Sequence, residues 1–395
     1  MNYDLIFAVI FYSLIYLFYL KHKKKFEIQN KIFALYKTKI GIKLMDRYAK
    51  KFPRILNFLA YISIIMGFLG MIFILYTIIQ GTYKLIADYF IGAAVKPVLA
   101  PVLPGVAIPG LPTLGFWHWI IAIFAVAVIH EFSHGVYARL YNLKIKSSGF
   151  AFLWPILAAF VEPDEKALVK KSKKEQLAIL SAGPFSNILL AIIILLIFNF
   201  IFIPLQSNWF VNNGISIVNI EKDSPAELAQ LKEGFIIKEI NNEKINDQRQ
   251  LPDLIQKSNG ENIKMLTDKG EFTIKPYKKD DKFHVGISVT NLVTTKDNVP
   301  DFVLDLTKWI NMLLFWLWVV SLGIGLFNLL PLGPIDGGRM FYTAMLGLFN
   351  EKKARNLFKY ISAFCLLLIF INLLPYLAKL FNWIINILSK FFSYF

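Results

Sequence analysis

A single cysteine, Cys365, occurs in 395 residues. That excludes a disulfide within the chain and any zinc cluster built on thiolates. Charge is also scarce: Asp, Glu, Lys and Arg make up 18% of the residues, against about 25% in ordinary soluble domains. Acidic residues are the scarcer sign, 27 against 43 basic, for a net charge of +16. Spread over a soluble surface, such a surplus would suit nucleic acid. It is not spread, because residues 210–301 hold 13 basic and 15 acidic side chains and the remainder carries about +18. The surplus lies beside apolar runs, in a chain that is 56% hydrophobic and 15% aromatic with mean hydropathy +0.52. An ordinary soluble fold is therefore excluded and no nucleic-acid role is expected. The basic loops read as segments that orient the chain in a membrane and meet anionic lipid.

A membrane helix needs about 20 mostly apolar residues. Six stretches qualify, at 3–20, 55–79, 117–138, 177–203, 306–330 and 360–380. The first ends in Lys21–Lys25 without a leading basic region or a small-residue cleavage site, so it is expected to stay as a membrane helix. Pro375 either lies within the last span or ends it short, leaving 376–395 as an amphipathic helix in the interface. Residues 21–54 hold 12 Lys or Arg against Glu27 and Asp46, and 162–176 and 339–359 are also basic, which places all three in the cytoplasm. By alternation, 80–116 and 204–305 then lie outside. The outer segment 80–116 is broken by Pro97, Pro101, Pro104, Pro109 and Pro112 and should be re-entrant or surface-lying, packed on protein. Gly149–Val161 is apolar, interrupted by Pro155 and too short to span, which suggests a membrane-associated hairpin.

Residues 210–301 read as a soluble insert, with short alternating runs at Ile215–Ile220 and Phe235–Ile240. In Asp223-Ser224-Pro225-Ala226-Glu227, Ser224 should cap a short helix with Pro225 at its first position, and Gly234 should turn the chain into the next strand. The run from Asp223 to Asn241 resembles the helix and following strand of a protease-associated PDZ domain. The expected fold class is a polytopic α-helical membrane protein of about six transmembrane helices, with a small α+β PDZ-like domain inserted between the fourth and fifth. The expected regions are 1–116 (two N-terminal helices), 117–205 (first part of the core), 210–301 (the insert), 302–350 (second part of the core) and 351–395 (C-terminal helix).

His130-Glu131-Phe132-Ser133-His134 interrupts the apolar run of the third span. Ionisable side chains at membrane depth are costly and mark function by default. Residues i and i+4 share one helical face, so both imidazoles can hold one metal ion, with Glu131 placed to take a proton from water there. With five His and 13 Glu, chance would produce this pattern in about one such chain in five hundred. A catalytic zinc site usually takes three protein ligands. His118 lies twelve residues from His130, about 18 Å along the helix. His22 and His284 fall in the basic segment and the insert, and Cys365 lies in a late span. The third ligand should therefore be a carboxylate. Asp336, at the cytoplasmic end of the fifth span, is best placed; the alternative is that Asp336 is a plain cap of a helix over 337–348.

H-E-F-S-H in one span and Asn328-Leu329-Leu330-Pro331-Leu332-Gly333-Pro334-Ile335-Asp336-Gly337 after a later one resemble the site-2 proteases, which are intramembrane zinc metalloproteases. Ser181-Ala182-Gly183-Pro184-Phe185-Ser186-Asn187 resembles the same family's small-residue motif ending in Asn. The resemblance implies His130, His134 and Asp336 as ligands of one zinc ion per chain and Glu131 as catalytic acid and base. It also implies Asn187 and Asn328 as amides near the metal, able to bond a substrate carbonyl or developing oxyanion. The function it implies is hydrolysis of peptide bonds within or near the transmembrane helix of single-pass membrane proteins. The insert would exclude bulky substrates or bind an exposed C-terminus. The location implied is a cell membrane, multi-pass, with the active site near the cytoplasmic side and the insert outside. Two alternatives are a membrane zinc protease acting on substrates that do not span the membrane and a non-catalytic PDZ-bearing scaffold.

Overall fold

A computed structural model describes residues 3–392 apart from 30–32, 94, 109, 154–155, 280 and 297–298. Pro109 and Pro155, two of the prolines singled out above, lie outside the described residues, as do the last three of the expected interfacial segment. The chain divides into a larger unit, 1–196 with 312–395, and a smaller one, 197–311. Six helices are long and apolar enough to cross a membrane among the described residues: Asp4–Lys25, Pro53–Phe90, Phe116–Leu140, Lys173–Trp209, Phe302–Phe327 and Glu351–Asn386.

The larger unit begins with α1 (Tyr3–His22), then β1 (Phe26–Gln29), β2 (Phe33–Thr38) and the short amphipathic α2 (Ile42–Lys51). Helix α3 (Pro53–Phe90) starts on a proline, whose missing N–H costs nothing in a first turn. At 38 residues it is about 57 Å long, well beyond the apolar thickness of a bilayer. Of the expected outer segment 80–116, the part up to Phe90 continues α3, whereas the described residues of 95–115 form no helix, as the prolines among them require, and pack against protein. Val98 donates its backbone N–H to Asn372, the carbonyl of Val102 accepts from Trp119 Nε1 at 2.8 Å, and Val98 fills the notch left by Gly81 of α3. Helix α4 (Phe116–Leu140) follows. Its first turn has no cap of its own, and the carboxylate of Asp4 accepts from Phe116 N in its place.

After α4 the chain forms β3 (Ile145–Leu153) and β4 (Ile156–Pro163), then α5 (Glu165–Leu168) and α6 (Lys173–Ile197). Strands β1 to β4 make one antiparallel sheet in sequence order, with β4 at its edge against α4. The apolar segment at 149–161 is thus a hairpin, with Gly149 opposite Phe160 and Phe150 opposite Ala159. Gly149 is needed because a Cβ there would lie 2.0 Å from the carbonyl oxygen of Tyr36 in β2. In α6 the small residues turn inward. Ser181 Oγ lies 2.9 Å from Ser63 Oγ of α3, a close helix contact of the kind small residues permit.

The smaller unit opens with a π-helical turn (Phe198–Phe202) and α7 (Ile203–Trp209). It continues through β5 (Phe210–Ile220), α8 (Pro225–Leu228), β6 (Ile236–Ile240), β7 (Glu243–Lys244), α9 (Leu251–Lys257), β8 (Ile263–Thr267), β9 (Gly270–Ile274), β10 (Tyr277–Lys279), β11 (Lys282–His284) and β12 (Ile287–Thr295). The main sheet has the order β12-β5-β6-β8-β9, with β7 on β6 and a separate β10-β11 pair. Ile215, Ile217, Ile237, Ile240, Ile263 and Met265 alternate inward onto Leu251, Leu254 and Ile255 of α9 and close a core of their own. Ser224 Oγ accepts from Glu227 N at the start of α8, and Gly234 takes φ +87° before β6, as the sequence suggests. The unit extends beyond the expected 210–301 at both ends because the helical residues that flank its strands belong to it.

Helix α10 (Phe302–Phe327), α11 (Asp336–Leu348) and α12 (Glu351–Phe392) complete the chain. Between α10 and α11 the backbone is irregular, and its polar groups find partners. Gly337 N donates to the Asn328 carbonyl at 2.6 Å, and Ser362 Oγ of α12 donates to the Pro331 carbonyl and accepts from Gly333 N. Irregular backbone among apolar helices survives only when satisfied in this way. Of the two readings of Pro375, an end to the last helix does not hold, since Pro375 lies inside α12, which continues to Phe392. A proline removes one bond of a long helix, and the remaining bonds of this one carry it past the gap.

Candidate metal centre

Helix α4 presents His130 and His134 on one face, one turn apart, and Asp336 opens α11 opposite them. His130 Nε2 lies 3.0 Å from Asp336 Oδ2, His134 Nε2 lies 3.3 Å from the same oxygen, and the two Nε2 atoms are 3.1 Å apart. Among the described residues, these three are the group of His, Cys, Asp and Glu able to hold a metal ion. Asp336 is not the cap of α11. That position belongs to Ile335, and the Asp336 carboxylate turns to the imidazoles instead. His118 sits at the opposite end of α4, beside Gly115 and Asp4.

The hydrogen bonds behind the ligands fix what their metal-facing atoms offer. His134 Nδ1 lies 2.7 Å from the carbonyl of Ile179, which can only accept, so Nδ1 carries the proton and neutral His134 presents a bare Nε2. Asn187, fully buried, lies with its amide nitrogen 3.0 Å from His130 Nδ1, and its Oδ1 has no partner among the described residues. Turning that amide over lets Oδ1 accept from His130 Nδ1–H. His130 Nε2 is then bare as well. Two nitrogen lone pairs and a carboxylate oxygen converge with edges of 3.0 to 3.3 Å. Ligands at about 2.0–2.1 Å around a tetrahedral ion stand about 3.3 Å apart, so the donor set and its spacing both fit zinc.

Helix α6 supplies both supporting contacts and comes close enough to do so because of Gly183. A Cβ at that position would lie 2.3 Å from His134 Nε2 and 2.6 Å from His130 Nε2, where the ion would sit. Pro184, inside α6, removes one helical N–H donor from the same turn. Gly337 and Gly338 admit the chain on the other side, since a Cβ on either would lie 2.2 Å from backbone atoms of Leu329 or Leu332.

Glu131 points to the sheet side of α4, where its Oε2 accepts from Val161 N of β4 at 2.9 Å. The structure thus brings His130, Glu131, His134 and Asp336 together, with Asn187 against the far ring nitrogen of His130 rather than among the ligand atoms. Asn328 contributes its backbone carbonyl to Gly337. Sequence reasoning missed the Ile179 carbonyl and Val161 N, which are backbone groups without a side-chain signature. It also missed the ion pair of Arg339, one turn after Asp336, with Glu165 at the start of α5 (2.6 Å).

Residues 118–371 match the sequence model of peptidase family M50, a span that contains both histidines and Asp336. An uncharacterized protein of Methanocaldococcus jannaschii is 31% identical over 333 residues, which cover 82% of this chain and 80% of the relative. A protein of Clostridium acetobutylicum, provisionally named as a zinc metalloprotease, is 24% identical over 308 residues, 58% of this chain and 86% of the relative.

Proposed function

The chain belongs to peptidase family M50, and on that footing we propose that it is an intramembrane zinc metalloprotease of the site-2 type, hydrolysing peptide bonds within or near the transmembrane helices of single-pass proteins. The observation that carries this reading is the convergence of His130, His134 and Asp336 beside Glu131 in an apolar helix bundle. His130, His134 and Asp336 would hold one zinc ion. Bound there, zinc supplies Lewis acidity toward a carbonyl oxygen and toward water. Glu131 takes the proton of the attacking water and delivers it to the leaving amine. Asn187 and the Ile179 carbonyl hold the imidazoles in the tautomer that leaves Nε2 bare.

A helical substrate hides its carbonyls and must unwind, which frees backbone groups that need partners. The outer edge of β4, where Glu131 now takes up Val161 N, can supply them. Val161 N faces away from β3, and in an antiparallel ladder Leu157 and Ala159 turn the same way. A substrate strand laid along that edge passes directly beside Glu131.

The basic segments around 21–54, 162–176 and 339–359 favour a cytoplasmic location for this end of the core. The same charge pattern favours an extracytoplasmic location for the smaller unit in a multi-pass cell-membrane protein. We read that unit as PDZ-like, on the capped α8 and the turn into β6, with a role in excluding bulky substrates or holding an exposed C-terminus.

Purified protein in detergent, incubated with a single-pass model substrate, is expected to produce a new terminus inside the apolar span, to lose that activity on chelation and to regain it with one equivalent of zinc. Cleavage that persists after complete zinc removal would sink the assignment.

A further inference from the structure

A cavity of about 110 Å³ lies directly beside Glu131, walled by Val128 and Phe132 of α4, Ala159 and Val161 of β4 and Met45 of α2. Its roof is held down by Ser148 Oγ, which donates to the Ile40 carbonyl at 2.6 Å. Ser148 stands opposite Val161 and Phe150 opposite Ala159, so these four side chains share one face of the hairpin and the cavity opens on that face. Apart from the Glu131 carboxylate, its lining is almost entirely apolar.

We propose that this cavity is the specificity subsite of the enzyme, taking a small aliphatic side chain of the substrate residue that flanks the scissile bond. The proposal rests on the proteolytic reading above. A substrate strand added to the β4 edge continues the pleat of the sheet, and alternate side chains must fall on the face that carries Ala159 and Val161. The one beside Glu131 is next to the bond being cut, since Glu131 has to reach the water that cuts it. Size sets the choice of occupant. An apolar cavity of about 150 Å³ accepts a benzene ring, and this one, at about 110 Å³, falls short of that. Ala, Val and other compact aliphatic side chains fit, and a Phe ring does not. Two residues set the limit from opposite sides: Met45, itself buried against Gly135, and Ala159, whose methyl leaves the space open.

The test is a competition between two model substrates in one reaction, identical except for Val or Phe at a position flanking the mapped scissile bond. The ratio of products does not depend on how much of each variant is active. Wild type is expected to prefer Val by about tenfold or more at one of the two flanking positions. Met45→Ala enlarges the cavity and should lower that ratio at the same position by about fivefold or more, whereas Ala159→Leu fills it and should favour an Ala substrate over Val. Equal ratios in wild type and both variants overturn the subsite while leaving the peptidase intact. No product from wild type with any substrate overturns the proteolytic reading and the subsite with it.

Discussion

Gly183 shows how much of the site depends on one absent methyl. Both imidazoles lie within 2.7 Å of the place its Cβ would occupy, so Gly183→Ala should push the ligands apart and displace the ion with every ligand residue still in the sequence. Purified Gly183→Ala is expected to contain little or no zinc by metal analysis. Gly323→Ala, where nothing lies within 4 Å of the added carbon, should retain it. A Gly183→Ala protein with full zinc would refute the placement of α6. At this scale the ligands were legible because their chemistry is scarce in such a chain. Two histidines one turn apart in an apolar helix, and the elimination of His22, His118, His284 and Cys365, lead to Asp336. What holds the ligands was less legible. Asn187 stood out as an amide, but its contact with His130 depends on the rotation of α6, and the Ile179 carbonyl belongs to a residue whose side chain has no part in it.

Elements were readable where apolar length decides, whereas a single proline said little about where a helix ends. Pro184 and Pro375 both lie inside helices, because a long helix with satisfied neighbours tolerates the loss of one bond. The prolines of 95–115, several within a few residues of one another, do prevent a helix there, and tertiary bonds fix that segment instead. Asn372 of α12 is the main fastening. Fully buried, it donates to Thr82 Oγ1 of α3 at 2.6 Å and to the Leu368 carbonyl, and it accepts from Val98 N. Asn372→Ala should cost about 1–2 kcal/mol, because it strands the Val98 N–H and takes a donor from Thr82 Oγ1, which keeps only its bond to the Ile78 carbonyl. The expected readout is a lower unfolding temperature in detergent with zinc content unchanged. An unchanged unfolding temperature would show that the fastening contributes nothing. The hairpin β3-β4 was legible as apolar and too short to span, but its pairing with β2 joins segments more than a hundred residues apart, and no local pattern carries that information.

For the whole molecule, the charge asymmetry that separated residues 210–301 from the rest also marks a unit with its own core, and the compositional boundary fell inside the structural one. The proposed orientation rests on the same asymmetry and can be measured. In a Cys365→Ser background, a cysteine in place of Lys269 should react with a membrane-impermeant maleimide in intact cells, and one in place of Lys352 only after permeabilisation. Equal labelling of the two in intact cells would reverse the proposed topology. The central claim is that one carboxylate, held next to three converging ligands, carries the proton for peptide hydrolysis in a membrane. Its most direct test compares wild type with Glu131→Gln at matched zinc content on one single-pass substrate. The account predicts a new terminus inside the apolar span from wild type and a loss of about a hundredfold or more in the variant. Equal product from both proteins would contradict it.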